Sequence, residues 1–143
     1  MGVRLAEVRD HSVTAQELLD LVSRPEAGAV TVFVGVVRDN DPQAAGRVTA
    51  LDYTCHPSAP ELIGQIVTSV LTELDPENTC EVAAVHRIGR LTVGDNAFVV
   101  AVSSAHRAKT FEVCETVVSR VKAELPVWKQ QFEADGSYQW SGL

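Results

Sequence analysis

Lysine is scarce in this chain. The 143 residues hold three, Lys109, Lys122 and Lys129, against a formal net charge of -7. An acidic balance of this kind argues against general nucleic-acid binding, which needs a broad basic surface. Long apolar runs are missing too. No segment approaches the ~20 apolar residues of a membrane-spanning helix, and Met1 to Glu7 lacks the apolar core of a signal peptide. Met1-Gly2 is not followed by the Ser or Thr of a myristoylation signal. Cysteine is sparse: Cys55, Cys80 and Cys114 are odd in number, widely spaced and form no CxxC pair. Such cysteines read as reduced thiols in or near a core, in a cytoplasmic protein. There is no HExxH pair, no GxSxG elbow and no glycine-rich phosphate loop. Cys55-His56 has no further spaced ligands, so neither a metal nor a cofactor is expected.

What the chain does contain is ordinary for a globular protein, 45% hydrophobic and 22% charged residues, and its length suits one domain over residues 1–143. Val3 to Val8 reads as a first strand. Thr14-Ala15-Gln16-Glu17 has the pattern of a capping box, followed by a short helix with Leu18, Leu19 and Val22 on one face. Ala29 to Val37 is a β-branched run, apolar on both faces, which predicts a central strand. A polar loop then runs from Arg38 to about Gly46. Val48 to Cys55 alternates as a strand. Ser58-Ala59-Pro60-Glu61 is a second capping-box pattern, and the Leu62, Ile66, Val70, Leu74 repeat predicts a helix with a wide apolar stripe. Glu81 to Ile88 and Ala97 to Val102 predict two strands, with room for a small hairpin in the connection between them. Ser104 is placed to cap a last helix with Phe111, Cys114, Val118, Val121 and Leu125 near one face. Pro126 stops it, and Val127 to Phe132 resumes as a strand. Irregular alternation of strands and helices predicts an α+β fold with helices on one sheet face.

The candidate chemistry gathers in the C-terminal third. His106, Arg107 and Lys109 fall in the first turn of the last helix, where no acid occurs before Glu112. A helix N-terminus disfavours cations, unless an anion is shared between them and the free backbone N–H groups. The alternative is that these side chains extend into solvent or pair with acids elsewhere. Arg38, at the end of an apolar strand, either presents its guanidinium at a pocket rim for phosphate or pairs with Asp39 or Asp41. Lys122 and Lys129 flank Pro126, so the reversal there can bring both to one site. Alternatively, Lys122 is a favourable helix-end charge and Lys129 a solvated strand residue. His86 reads as a core or surface histidine. Trp128 and Trp140 read as packing or interface aromatics.

Several segments together resemble the large, catalytic subunit of molybdopterin synthase. They are Phe33-Val34-Gly35-Val36-Val37-Arg38-Asp39-Asn40, Leu51-Asp52-Tyr53, Val85-His86-Arg87-Ile88-Gly89, Val93-Gly94-Asp95, Val102-Ser103-Ser104-Ala105-His106-Arg107 and Lys122-Ala123-Glu124-Leu125-Pro126-Val127-Trp128-Lys129. The SxHR and KxxxPxWK patterns, at this separation, carry most of the specificity. The resemblance implies an α/β hammerhead-type fold, mainly antiparallel, with packed helices. It implies a homodimer core that accepts two small ubiquitin-like sulfur-carrier subunits, giving a heterotetramer. Sulfur from the small subunit's C-terminal thiocarboxylate would pass to cyclic pyranopterin monophosphate, a pterin phosphate, to build the molybdopterin dithiolene. By motif match, Lys122 and Lys129 take the family's catalytic positions, and Arg38, His106 and Arg107 its substrate-binding positions. The pocket is implied to lie near the dimer interface, so these residues need not come from one subunit. The chain departs from the family in having no Arg or Lys after Lys129, where family tails often supply one. It ends Ser141-Gly142-Leu143, so it is not expected to be the Gly-Gly sulfur carrier itself. The competing readings are a non-catalytic anion- or nucleotide-binding regulatory α+β domain, and a paralogue that keeps the scaffold without catalysis.

Overall fold

The computed structural model describes residues 2–39, 47–134 and 136–142. Among them the order is β1 (Gly2–Arg9), α1 (Ala15–Val22), β2 (Ala29–Val36), β3 (Val48–Cys55), α2 (Ala59–Leu74), β4 (Glu81–Arg87), β5 (Gly89–Thr92), β6 (Asn96–Ser104), α3 (Arg107–Glu124), β7 (Val127–Glu133) and β8 (Tyr138–Gly142). The strands form two four-stranded sheets, β1-β4-β6-β2 and β5-β3-β7-β8. Among the described strand pairs only β1–β4 is parallel. This is the α+β, mainly antiparallel fold expected. From residue 40 on, the expected polar loop to Gly46 lies outside the described residues, as does Leu143.

The first sheet sets where the core sits. Along β4 and β6 both faces are apolar, and alternation divides them. Val82, Ala84, Val100 and Val102 face a core shared with Ile63, Ile66, Val67 and Val70 of α2 and Val113, Val117 and Val121 of α3. Ala83, Val85, Val99 and Ala101 face the opposite way, onto Leu18 and Val22 of α1. Helices therefore cover both faces of this sheet, not one as expected. Complete burial of each Val, Leu or Ile here stabilises the fold by roughly 1.5–3 kcal/mol.

Several local expectations are corrected. Among the described strands Ala29–Val36 is an edge, bonded only to β6, and Val30, Val32 and Val36 stand exposed. An apolar run on both faces looks the same whether the second face is covered by a neighbouring helix or left bare. The capping box at Thr14 is half made: Thr14 accepts from the Glu17 N–H at 3.1 Å, while the Glu17 carboxylate pairs with Arg9 at 2.8 Å. Ser58 makes no side-chain cap, since its own hydroxyl bonds His56 Nδ1 at 2.9 Å. Ser104 is the last residue of β6, and His106 is the cap position of α3. The buried face of α3 is Thr110, Val113, Cys114, Val117 and Val121, so Phe111 points to solvent. The connection after β4 holds no hairpin of its own. Gly89, at φ 86°, swings the chain out of the first sheet, and β5 pairs with β3 in the second. A positive φ at this crossing favours glycine over any L side chain.

Candidate functional site

The two sheets and the end of α3 enclose a cavity of about 230 Å³. Its wall includes Arg38, Tyr53, His86, Lys122, Lys129 and Gln131, and among the described residues no Asp or Glu. Three cations thus face one space with no carboxylate among its described lining residues.

Each arrives by a local cause. Lys122 lies in the last turn of α3. Pro126 has no N–H and pushes Leu125 out of the helical region, which Leu125 obeys at φ -73°, ψ 124°. The chain re-enters as β7 in register with β3, placing Lys129 opposite Tyr53 and Gln131 opposite Leu51. Strand alternation then sends Lys129 and Gln131 inward and Trp128 outward, where Trp128 is 45% exposed. Arg38 follows β2, whose pairing with β6 slips at Gly35/Val36. Such a bulge re-aims the chain beyond it. Val37 is then fixed by hydrogen bonds to the Gly94–Asp95 turn, 2.8 and 2.9 Å long. Asp39 pairs with Arg47 at 3.3 Å, and the pairing weighed for Arg38 with Asp41 lies outside the described residues.

Burial, and then the neighbouring Lys129 cation, hold the Lys122 ammonium below the ordinary lysine value. Two like charges meeting in one cavity raise each other's energy and are relieved by an incoming anion. His86 is 2% exposed. Its ring lies 5.2 Å from Tyr53 and 5.3 Å from Phe98, centroid to centroid. Nδ1 is 2.7 Å from the Arg87 carbonyl oxygen; a carbonyl can only accept, so Nδ1 carries the proton. Burial pushes the His86 pKa down to about 4, with Lys122 adding to the depression. Gln131 is 1% exposed, and its Nε2 has no hydrogen-bond partner among the described residues. His86 and Gln131 were not singled out as site residues in the sequence. The one signal available for Gln131 was its two-residue spacing from Lys129 on a strand.

The depressed His86 pKa has a stability consequence. An unfolded imidazole titrates near 6.5. Between pH 6.5 and about 4 the unfolded chain binds a proton that the folded chain refuses. Stability is therefore complete above pH 6.5 and should fall on acidification through this window, by up to roughly 1.4 kcal/mol per pH unit from this group. Urea titrations at pH 7 and pH 4.5 should show that loss in the native chain, and His86→Phe should lose less across the same interval.

The other predicted cations are placed elsewhere. His106 and Arg107 are exposed at the start of α3. Lys122 is fifteen positions after Arg107 along the helix, about 22 Å at 1.5 Å per residue. One protomer does not bring them to the cavity. The α3 N-terminus has no side-chain cap and no acid in its first turn, leaving backbone N–H groups available. Lys109 is in that first turn, but its side chain turns towards α2. Its ammonium donates to the Leu74 carbonyl at 2.6 Å, satisfying the C-terminus of α2. Cys80 and Cys114 are buried free thiols, and burial raises both, Cys114 to about 11, so neither is a ready thiolate.

Comparison with known proteins gives a consistent family. The family model described as MoaE protein matches residues 8–124. The chain is 35% identical to molybdopterin synthase catalytic subunit 1 of Mycobacterium tuberculosis, over 93% of this chain and 87% of that protein. It is 34% identical to the molybdopterin synthase catalytic subunit of Thermoplasma volcanium, over 94% and 95%. The crystal structure of molybdopterin synthase from Staphylococcus aureus superimposes with a TM-score of 0.81 at 27% identity, covering 96% of this chain and 97% of that one.

Proposed function

This chain belongs to the MoaE protein family, and from that premise we propose that it is the catalytic subunit of a molybdopterin synthase. In this reading it moves sulfur from the C-terminal thiocarboxylate of a small ubiquitin-like subunit to cyclic pyranopterin monophosphate. The observation that carries it is the cavity where Arg38, Lys122 and Lys129 meet, with no acid among its described lining residues. Both reactants are anions, one a thiocarboxylate and the other a phosphate ester. A site that receives both needs clustered cations and no competing carboxylate. Lys122 is assigned the acyl end of the thiocarboxylate. Once the sulfur has bonded to a pterin carbon, water adds to the acyl carbon and the acyl C–S bond breaks. A compact ammonium stabilises the negative charge developing on the acyl oxygen in that step, and then pairs with the carboxylate that remains. Lys129 is assigned the adjacent substrate. Arg38, at the rim, suits the phosphate, which a guanidinium can hold through two parallel bonds. Sulfur arrives on the partner, so no cysteine of this chain need act as nucleophile. The free thiols fit work in the cytoplasm.

His106 and Arg107 enter as substrate-binding residues contributed by the second subunit of a homodimer. Their distance along α3 from Lys122 supports an origin in the other protomer. Surfaces for partners exist: Trp128, Tyr138 and Trp140 are exposed on or beside the second sheet, and Val30, Val32, Val36 and Phe111 lie at and near the β2 edge. Apolar clusters of this kind are uncommon on a protein that stays alone. Sedimentation at micromolar concentration should give a dimer without the small subunit, and a monomer would remove the shared site. The function itself is tested by mixing the chain with a thiocarboxylated small subunit and the pyranopterin, and assaying molybdopterin. No product under conditions where another synthase turns over would leave a scaffold without catalysis.

A further inference from the structure

The cavity holds more than its cations need. Arg38, Lys122 and Lys129 suffice to hold an anion, yet the same wall contains a buried imidazole and a buried amide whose Nε2 has no partner among the described residues. Burying a polar group without a partner costs on the order of 1–3 kcal/mol, so such groups point to a ligand that pairs with them.

The imidazole is unusually well fixed. Strand alternation puts His86 on the same face of β4 as Val82 and Ala84, towards the main core and the cavity. The edge of one ring and the tilted face of another, Tyr53 and Phe98, hold its plane. Nδ1–H is turned back onto the Arg87 carbonyl. Nε2 is the distal atom of the ring, and because burial keeps the imidazole neutral near pH 7, it carries no proton and can only accept. Arg38, Lys122 and Lys129 can only donate. His86 supplies a fixed nitrogen acceptor that the three cations cannot.

We propose that Nε2 of His86 accepts a hydrogen bond from a ring N–H of the bound heterocycle, making His86 a specificity residue that separates a pterin phosphate from other phosphates. This rests on the reading of the cavity as the pterin phosphate site and assigns a task within it. The cations take the charge, which many metabolites share. The imidazole reads a neutral edge of the ring, which few share. A site built to pair with a substrate N–H discriminates against a ligand lacking it, because the acceptor is then left buried and alone. Gln131 Nε2, a donor on the same wall, complements the acceptor with the opposite polarity.

The test uses the full chain and two probes, cyclic pyranopterin monophosphate and inorganic phosphate, with binding measured by calorimetry. His86→Phe keeps an aromatic ring between Tyr53 and Phe98 and removes the acceptor. It should weaken the pterin about tenfold, the size of one lost hydrogen bond to a buried group, and leave inorganic phosphate within about twofold. His86→Gln places an amide oxygen near the Nε2 position and should restore most of the pterin affinity. In the unsubstituted chain, the 15N resonance of Nε2 should sit at the unprotonated imidazole position and move upfield with the pterin, but not with phosphate. That measurement holds even if a variant fails to fold. An unmoved Nε2 resonance, unchanged pterin affinity in His86→Phe, or equal loss for both probes would overturn the proposal. No pterin binding to the unsubstituted chain would overturn the functional reading beneath it, and the proposal with it.

Discussion

Replacing Lys122 by alanine should lower sulfur transfer by about a hundred- to a thousandfold, the range for removing one preorganised group that stabilises transition-state charge. The fold should survive. Lys122 is on the solvent-accessible side of the last helical turn, and its ammonium sits in an environment that disfavours the charge, through burial and then through Lys129. Removing it relieves a repulsion in the empty protein. A near-native or slightly raised melting temperature together with lost turnover separates chemistry from stability. Lys122→Arg should recover little, because a planar guanidinium is larger and cannot take the place of a compact ammonium in a cavity of about 230 Å³. Single-turnover assays with saturating thiocarboxylated partner measure the step directly. Near-normal product formation by Lys122→Ala would remove this lysine from the mechanism.

The second large effect concerns Arg107. Arg107→Ala should weaken pyranopterin binding by about 1.5–3 kcal/mol, roughly ten- to a hundredfold, as expected for one charge-assisted contact to phosphate. Because Arg107 and Lys122 are at opposite ends of α3, the reading that each site draws on both protomers makes a sharper demand. In a two-fold dimer pairing one Lys122→Ala protomer with one Arg107→Ala protomer, one site carries both lesions and the other carries neither. Random exchange puts half of the chains in such mixed dimers, so about a quarter of all sites should regain full activity. At a pyranopterin concentration too low to fill the Arg107→Ala site, two poorly active preparations should therefore gain activity on mixing and exchange. No recovery, with exchange verified by mass, would place Arg107 and Lys122 in separate sites.

The sequence by itself determined the elements and the candidate cations. Alternation in β4 and β6, the apolar stripe of α2 and the stop at Pro126 are local consequences of side-chain period and of a missing N–H. The SxHR and KxxxPxWK patterns named the family that the comparisons support. What only the tertiary structure decided is which of those residues meet. Lys122 and Lys129 share a cavity because β7 pairs with β3 in a register that turns Lys129 inward beside Tyr53. No local pattern contains that register. The same holds for β2: its valines fit a central strand, and only the sheet order shows an edge with one side bare. His86 was read as a core or surface histidine, and the structure gives it both a core position and a cavity wall. Its burial depends on Tyr53 and Phe98, 33 and 12 residues away in sequence. Period and propensity report what each segment can bury. Long-range packing decides what it is buried against, and at this cavity that pairing sets the protonation of the histidine and the charge around the lysines.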